Sequence, residues 1–390
     1  MKKYLSTYFR NFDYGIFFTY VILVLFGLVM IYSSSMMVAV VQKELPADYF
    51  YTSQFRNILV GFLAFLVAAI IPYKHYSNKK LMVFLMLVMV TLLAAVFFAG
   101  VEVNGSKSWI DLGFMRFQPS EFAKLFVILY IAGAFYRKSL KEKSIQYVKP
   151  TDITYPIIIW LGILFMVALE TDIGAVAIIM VIAISVVLLS GIQGKSLFRF
   201  FSILSVFGGI VVIFAAILKW DTITNESRMG RIKALGNPFE YAQDEGYQII
   251  NGYLAIGAGG LQGNGLGQGI QKLGYLPEPQ TDFIAAVIAE ELGILGIAIV
   301  VGGLGFIVIR SFFIAMTTKD PLARMIAGGI GTWIGFQTFI NLGGVTGLIP
   351  LTGVTLPFIS YGGSSILLLS VAMGILINIS MFYKRERRKV

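Results

Sequence analysis

One pattern repeats along the whole chain: an apolar run, a short polar connection, then another apolar run. A helix needs about 20 such residues to cross the hydrocarbon core of a bilayer. Ten runs of this kind are found, at Tyr14–Tyr32, Ile58–Pro72, Leu81–Phe98, Ser120–Phe135, Tyr155–Leu169, Ile173–Leu189, Phe200–Leu218, Phe283–Ile309, Met325–Ile349 and Ser364–Met381. Tyr155–Leu189 is one long apolar block broken only by Glu170, Thr171 and Asp172, and it is divided there into two short spans with a tight outward turn. Uninterrupted stretches such as Ile157–Leu169 exclude the alternating ten-residue segments of an outer-membrane barrel. The expected fold is an all-α polytopic membrane protein of about ten transmembrane helices, one domain over 1–390, with a large extracytoplasmic loop between the seventh and eighth. Only 13% of residues are charged, against about a quarter in a soluble domain. The first run follows Lys2, Lys3 and Arg10 but lacks a small-x-small cleavage pattern, so it reads as a retained anchor.

Charge gives the orientation. Ten spans from a cytoplasmic amino terminus place Lys74–Lys80, Arg137–Lys149, Lys195–Arg199, Arg310–Arg324 and Lys384–Lys389 on one side. With Lys2, Lys3 and Arg10 these hold 21 of the 31 basic residues. That is the asymmetry of the positive-inside rule, and a miscount by one helix scatters it. The net charge of +10 is thus spread beside anionic headgroups and forms no nucleic-acid face. By the same topology only Asp13, Glu142, Asp152, Asp320 and Glu386 lie inside, so the acidic chemistry faces outward. Both termini are expected in the cytoplasm. The longest connection, residues 219–281, contains Trp220, Phe239, Tyr241, Tyr247 and Tyr253, too much apolar surface for a solvated linker. Short helices lying on the outer surface are expected there.

The residue inventory narrows the reaction. The chain has no cysteine and one histidine, His75, in a basic loop, so thiolate and multi-histidine metal sites are excluded and carboxylates remain for acid and base work. Two nucleotide-like sequences fail on context: GIQGKS has Leu189 where a P-loop needs glycine, and Gly259–Gly269 never fits G-x-G-x-x-G. The glycine run reads first as a tight re-entrant turn; its exposed amides and the following Lys272 also suit a pyrophosphate.

Three polar clusters stand out. In LPEPQTDFIAAVIAEELG, Asp282 precedes a long apolar helix, where helix cap and catalyst weigh about equally on position alone. Glu290 and Glu291 follow two turns later, each costing roughly 2.5–3.5 kcal/mol at membrane depth; Asp282, Ala286 and Glu290 share a face that suits an aqueous cavity. In NGSKSWIDLGFMRFQPSEFAKL, Trp109 lies in an outer loop, and Gln118, Ser120, Glu121 and Lys124 open a span. Glu121 and Lys124 share a face and can pair. In GLIPLTGVTLPFISYGGSS, Pro350, Pro357 and the glycines imply a broken helix, tolerated only where the backbone is buried or lines a cavity. Thr352, Ser360 and Tyr361 offer hydroxyls to a sugar there.

Together these clusters resemble the SEDS family, the FtsW and RodA proteins of division and elongation. QPSEFAK, ETDIGA, NPF followed by EGYQ, AIGAGG, LPEPQTDFI with EELG, and LPFISYGGSS stand in family order over nearly the whole chain. YSSSM, the third cluster and the basic tail look closer to FtsW. The family often has serine where this chain has Gly252 and Gly269, and phenylalanine where it has Ala285. The resemblance implies a single SEDS-type domain that extends glycan strands from lipid II at the outer face of the bacterial cytoplasmic membrane. It also implies a class B penicillin-binding protein and other division proteins as partners, and a septal location. Its TDF aspartate maps onto Asp282; Gln280, Thr281 and Glu290 nearby are expected to contact the substrate.

For that substrate, an α-linked pyrophosphate donor and a β product need one inverting displacement: a base for the acceptor hydroxyl and charge stabilisation for the departing pyrophosphate. Asp282 suits the base, with partial burial raising a carboxyl from about 4. Lys107, Lys124, Arg228, Arg231 and Lys272 are outward cations for the leaving group, and a divalent cation bridging the phosphates is a further option. A flippase would also use charged spans and broken helices, and a division scaffold would use polar clusters for packing.

Overall fold

The computed structural model describes residues 10–103, 106–111, 113, 115–142, 149–170, 172–218, 230, 233–243 and 245–388. Each predicted run lies on one long helix. These are α1 (Tyr14–Met37), α2 (Tyr49–Ile70), α3 (Lys79–Ala99), α4 (Pro119–Lys141), α5 (Pro150–Leu169), α6 (Ile173–Ser190), α7 (Gly194–Leu218), α9 (Ile284–Thr317), α10 (Pro321–Val345) and α11 (Gly363–Arg387), with the shorter α8 (Glu245–Gly259) before α9. Among the described residues, eight helices are long and apolar enough to cross a membrane, which α7 and α10 are not among. The protein is a helical, multi-pass membrane protein.

Local chemistry sets the ends. Pro119 opens α4, where its missing N–H costs nothing. The division of the Tyr155–Leu189 block falls as expected: α5 stops at Leu169, and Asp172 caps α6 by accepting from the Ala175 amide at 2.9 Å. Among those eight, α4 and α11 are the most enclosed and α3 the most peripheral. Lipid supplies no hydrophobic drive between helices, so close packing does the work. A side chain at Gly374 of α11 would meet the Phe65 carbonyl at 2.5 Å, which lets α2 and α11 touch backbone to backbone. At the end of the bundle remote from Asp282, buried Asp13 pairs with Arg310 and Lys384, both at 3.2 Å, and joins α1, α9 and α11.

One feature departs from expectation, and one expected helix takes a definite place. Residues 101–117, read as plain loop, carry a small antiparallel sheet of β1 (Val101–Val103), β2 (Ser106–Asp111) and β3 (Arg116–Phe117). The helix expected between the seventh and eighth runs is α8: Gly252 packs on Phe283 and Gly259 on the Ala289–Glu290 backbone, so α8 runs parallel to the first part of α9. That shared stretch, about 10 Å long, lies before the non-helical Gly293 that interrupts α9. The glycine run then turns, and the chain returns to Asp282: a re-entrant unit. Phe239, Tyr247 and Tyr253 of this segment are exposed. Trp220, Arg228 and Arg231 lie outside the described residues.

Candidate active site

The three clusters meet at one end of the bundle, and the broken segment between α10 and α11 joins them. Asp282 is half-buried one residue before α9's cap position, which Phe283 occupies. The carboxylate faces Gly353, whose added Cβ would stand 3.6 Å from Asp282 Oδ2. Gly353 has φ +72°, a conformation that glycine adopts without strain. The preceding residues are sewn to the same segment. The Tyr361 amide donates to the Gln280 carbonyl at 2.9 Å, and Ser360 Oγ donates to the Thr281 carbonyl at 2.7 Å while accepting from the Leu356 amide at 2.8 Å. Gln280 Nε2 and Thr281 Oγ1 both donate to Glu278 Oε2, at 3.1 Å. The Tyr361 hydroxyl lies 3.2 Å from Ser53 Oγ; burial pushes it up, while Arg116 and Arg56 act on it in the other direction.

The second cluster sits at the start of α4. Lys124 is buried and donates to Glu121 Oε1 at 2.6 Å and to Gln337 Oε1 at 3.1 Å. Its ammonium is 5.9 Å from the centre of the Trp333 ring, whose Nε1 donates to the same Gln337 oxygen at 2.7 Å. Gln337 Nε2 donates to the Thr355 carbonyl at 2.9 Å. Beside the pair, Gln118 Nε2 and Ser120 Oγ donate to Asp172 Oδ2 at 2.9 and 3.4 Å. Burial pushes the Asp172 carboxyl up, and burial together with Asp172 pushes Glu170 to about 8. Trp109 is half-buried on β2, opposite Val101.

Lys272 and Glu290 stand apart. The expected aqueous face through Ala286 and Glu290 is closed, since both side chains are buried. The Ile270 amide donates to Glu290 Oε1 at 2.7 Å and the Gln271 amide at 3.2 Å. Lys272 pairs with Glu291, and Ser33 Oγ lies 2.8 Å from both Lys272 Nζ and Glu291 Oε1. Gly267 donates its amide to Glu291 Oε2 at 3.0 Å. The Gly267 amide of the glycine run, and the Ile270 and Gln271 amides just after it, thus cradle the protein's own carboxylates. Lys107 Nζ donates to the Phe97 carbonyl, which leaves Lys124 as the described candidate cation tied to the Asp282 cluster. Among the described residues no three His, Cys, Asp or Glu side chains gather to hold a metal ion.

Sequence reasoning missed Gln337, Asn341, Ser33, Arg56 and Arg116. Asn341 Nδ2 donates to the Asp282 carbonyl at 2.9 Å and to the Val354 carbonyl at 2.8 Å. The available signal was two carboxamides four residues apart in an otherwise apolar span, a rare choice at membrane depth.

Comparison with known proteins agrees with this architecture. The FtsW, RodA and SpoVE family model, described as cell cycle protein, matches residues 14–385. A Bacillus subtilis protein named probable peptidoglycan glycosyltransferase FtsW is 45% identical over 392 residues, covering 100% of this chain and 94% of the relative. A Nitrosomonas europaea protein of the same name is 36% identical, covering 95% and 93%. Among solved structures, a chain from a study of polymerization and crosslinking by a peptidoglycan synthase complex superposes with TM-score 0.71 at 23% identity, covering 97% of this chain and 99% of that one. Thermus thermophilus rod shape determining protein RodA superposes with TM-score 0.64 at 24% identity, covering 95% and 96%, and shares the fold. With a family match from the first span to the last and full-length relatives, this chain belongs to the FtsW, RodA and SpoVE family of cell cycle proteins.

Proposed function

We propose that the chain is a peptidoglycan glycosyltransferase of the FtsW type, polymerising lipid II at the outer face of the cytoplasmic membrane, with Asp282 as general base. The topology for this reading has ten spans, both termini in the cytoplasm and residues 219–281 outside. Its partners are a class B penicillin-binding protein and other division proteins at the septum. The observation that carries the reading is convergence: Asp282 and Lys124 are tethered, through Asn341 and Gln337, to the adjacent backbone carbonyls of Val354 and Thr355.

In the reaction, Asp282 takes the proton of an acceptor sugar hydroxyl as that oxygen attacks the anomeric carbon. The new C–O bond forms on the face opposite the pyrophosphate, whose C–O bond breaks and carries its electron pair away, so the α donor becomes a β product. Lys124 spends donors on Glu121 and Gln337; an ammonium has three, and the third addresses a phosphate oxygen as charge develops. Gln118, Ser120, Trp109, Gln280, Thr281, Ser360 and Tyr361 frame the substrate, largely through the backbone they fix. Lys272 and Glu290 support the site from within the re-entrant unit.

The test is Asp282→Asn in purified protein with lipid II. The variant keeps size, inserts and holds its partner transpeptidase, and its polymerisation falls by about 10²–10⁴, the usual contribution of a general base. Near-normal glycan synthesis by a well-folded variant overturns the assignment.

A further inference from the structure

α10 carries two buried carboxamides one turn apart, Gln337 and Asn341. Amides inside a bundle commonly tie helix to helix. These two reach irregular backbone instead. Both protons of Asn341 Nδ2 go to main-chain carbonyls, those of Asp282 and Val354. Neither carbonyl belongs to a helix, and a buried carbonyl without a donor is costly in a membrane. The orientation is fixed: flipping the amide would aim an oxygen at two carbonyl oxygens. Gln337 works the same way one turn deeper, donating to Thr355 and accepting from Lys124 and Trp333.

We propose that Gln337 and Asn341 are positioning residues for glycosyl transfer, an amide ladder that fixes the separation between the Asp282 carboxylate and the Lys124 ammonium. The inference rests on the assignment of Asp282 as base. The ladder has one register because its rungs end on consecutive residues, Val354 and Thr355. Displacing that stretch moves the base and the cation relative to each other, and an error of about 1 Å can cost 10²-fold in rate. A purely structural role predicts lower stability with unchanged chemistry.

The experiment measures polymerisation of lipid II by purified Asn341→Leu, Asn341→Ser and Gln337→Glu proteins beside Asp282→Asn. Leucine matches the shape without donating. Its kcat is expected to fall about 10²-fold with KM within about threefold, the pattern of an interaction realised in the transition state. The acidic limb of its kcat–pH profile is expected to shift, because the base has moved. Serine donates once and restores part of the rate. Gln337→Glu keeps the acceptor for Lys124 but cannot donate to Thr355, so its kcat also falls. A folded Asn341→Leu protein with wild-type kcat and an unshifted profile overturns the ladder, while an inactive Asp282→Asn control leaves the base assignment standing. An active Asp282→Asn control overturns that assignment instead. Should Asn341→Leu fail to fold, unchanged kcat in Asn341→Ser overturns the ladder equally.

Discussion

Replacing Lys272 with methionine keeps the length and packing of the stem and removes only the ammonium. In the intact protein that ammonium is the counter-charge of Glu291, and both side chains are almost wholly enclosed, at 2% and 0% exposure. Solvent therefore does little to screen the loss. Glu291 retains the Ser33 hydroxyl and the Gly267 amide but no cation. Breaking a buried pair from one side costs about 3–5 kcal/mol, because the remaining charge stays in the interior. At about 2 °C per kcal/mol for a large domain, the melting temperature should fall by roughly 6–10 °C.

The double variant Lys272→Met with Glu291→Gln separates that explanation from simple loss of packing. Glutamine still accepts from Gly267 and Ser33, and with no charge left uncompensated the double variant should recover most of the lost stability. Thermal unfolding in detergent, followed by fluorescence-detected size exclusion, reads both numbers. A Lys272→Met protein that melts with the wild type, or a double variant no more stable than the single, refutes the reasoning that the re-entrant unit is held by charge.

Two further outcomes follow from the outer turn and the α4 pair. Exchanging the charges as Glu121→Lys with Lys124→Glu restores an ion pair but aims a carboxylate at Gln337 Oε1 and the Trp333 ring. The swapped protein should fold yet polymerise lipid II at least about 10-fold more slowly, a modest share of an electrostatic contribution; a normal rate would reduce the pair to packing. For Glu170, burial and Asp172 raise the folded carboxyl to about 8, so the folded state holds a proton that the unfolded chain releases near its ordinary value. Stability from this group is full at low pH and drains away as pH rises through about 8, and Glu170→Gln should flatten that slope in a melting series. A wild-type melting curve with no more slope than the variant's would remove the effect.

Helix placement was legible because each span must satisfy its own backbone hydrogen bonds, which ties helix to apolar run. Asp172 and Pro119 announced their ends through ordinary capping chemistry. The Glu121–Lys124 pair was legible too, since three residues of separation suffice to bring it together. Contacts that span the chain were not. Ser33 and Glu291 are 258 positions apart, and nothing local in YSSSM or EELG points from one to the other. Asn341 was passed over for a different reason: attention went to charges and hydroxyls, whereas a neutral amide advertises nothing until its two carbonyl partners are in place. The sheet over 101–117 escaped notice because its strands are only two to six residues long.

The two glutamates of α9 explain how Asp282, the proposed base, is held at the end of a membrane helix. Each charge is expensive at that depth, yet Glu291 accepts the Gly267 amide of the glycine turn and Glu290 the Ile270 amide just after it, amides that would otherwise be unsatisfied there. The turn is possible only without side chains: Gly263, at φ +75°, lies against the Glu291 carbonyl and the Gly293 amide. The same contact accommodates Gly293, whose φ of 60° interrupts α9 directly below the glutamates. α8, the turn and the first part of α9 therefore form one braced unit with Asp282 near its top. That brace sets the height of Asp282, and Asn341 ties the Asp282 carbonyl to that of Val354. The brace depends on an ionic lock and the tie on a neutral amide. Loss of Lys272 should therefore appear first as lost stability, whereas loss of Asn341 should appear first in the chemical step.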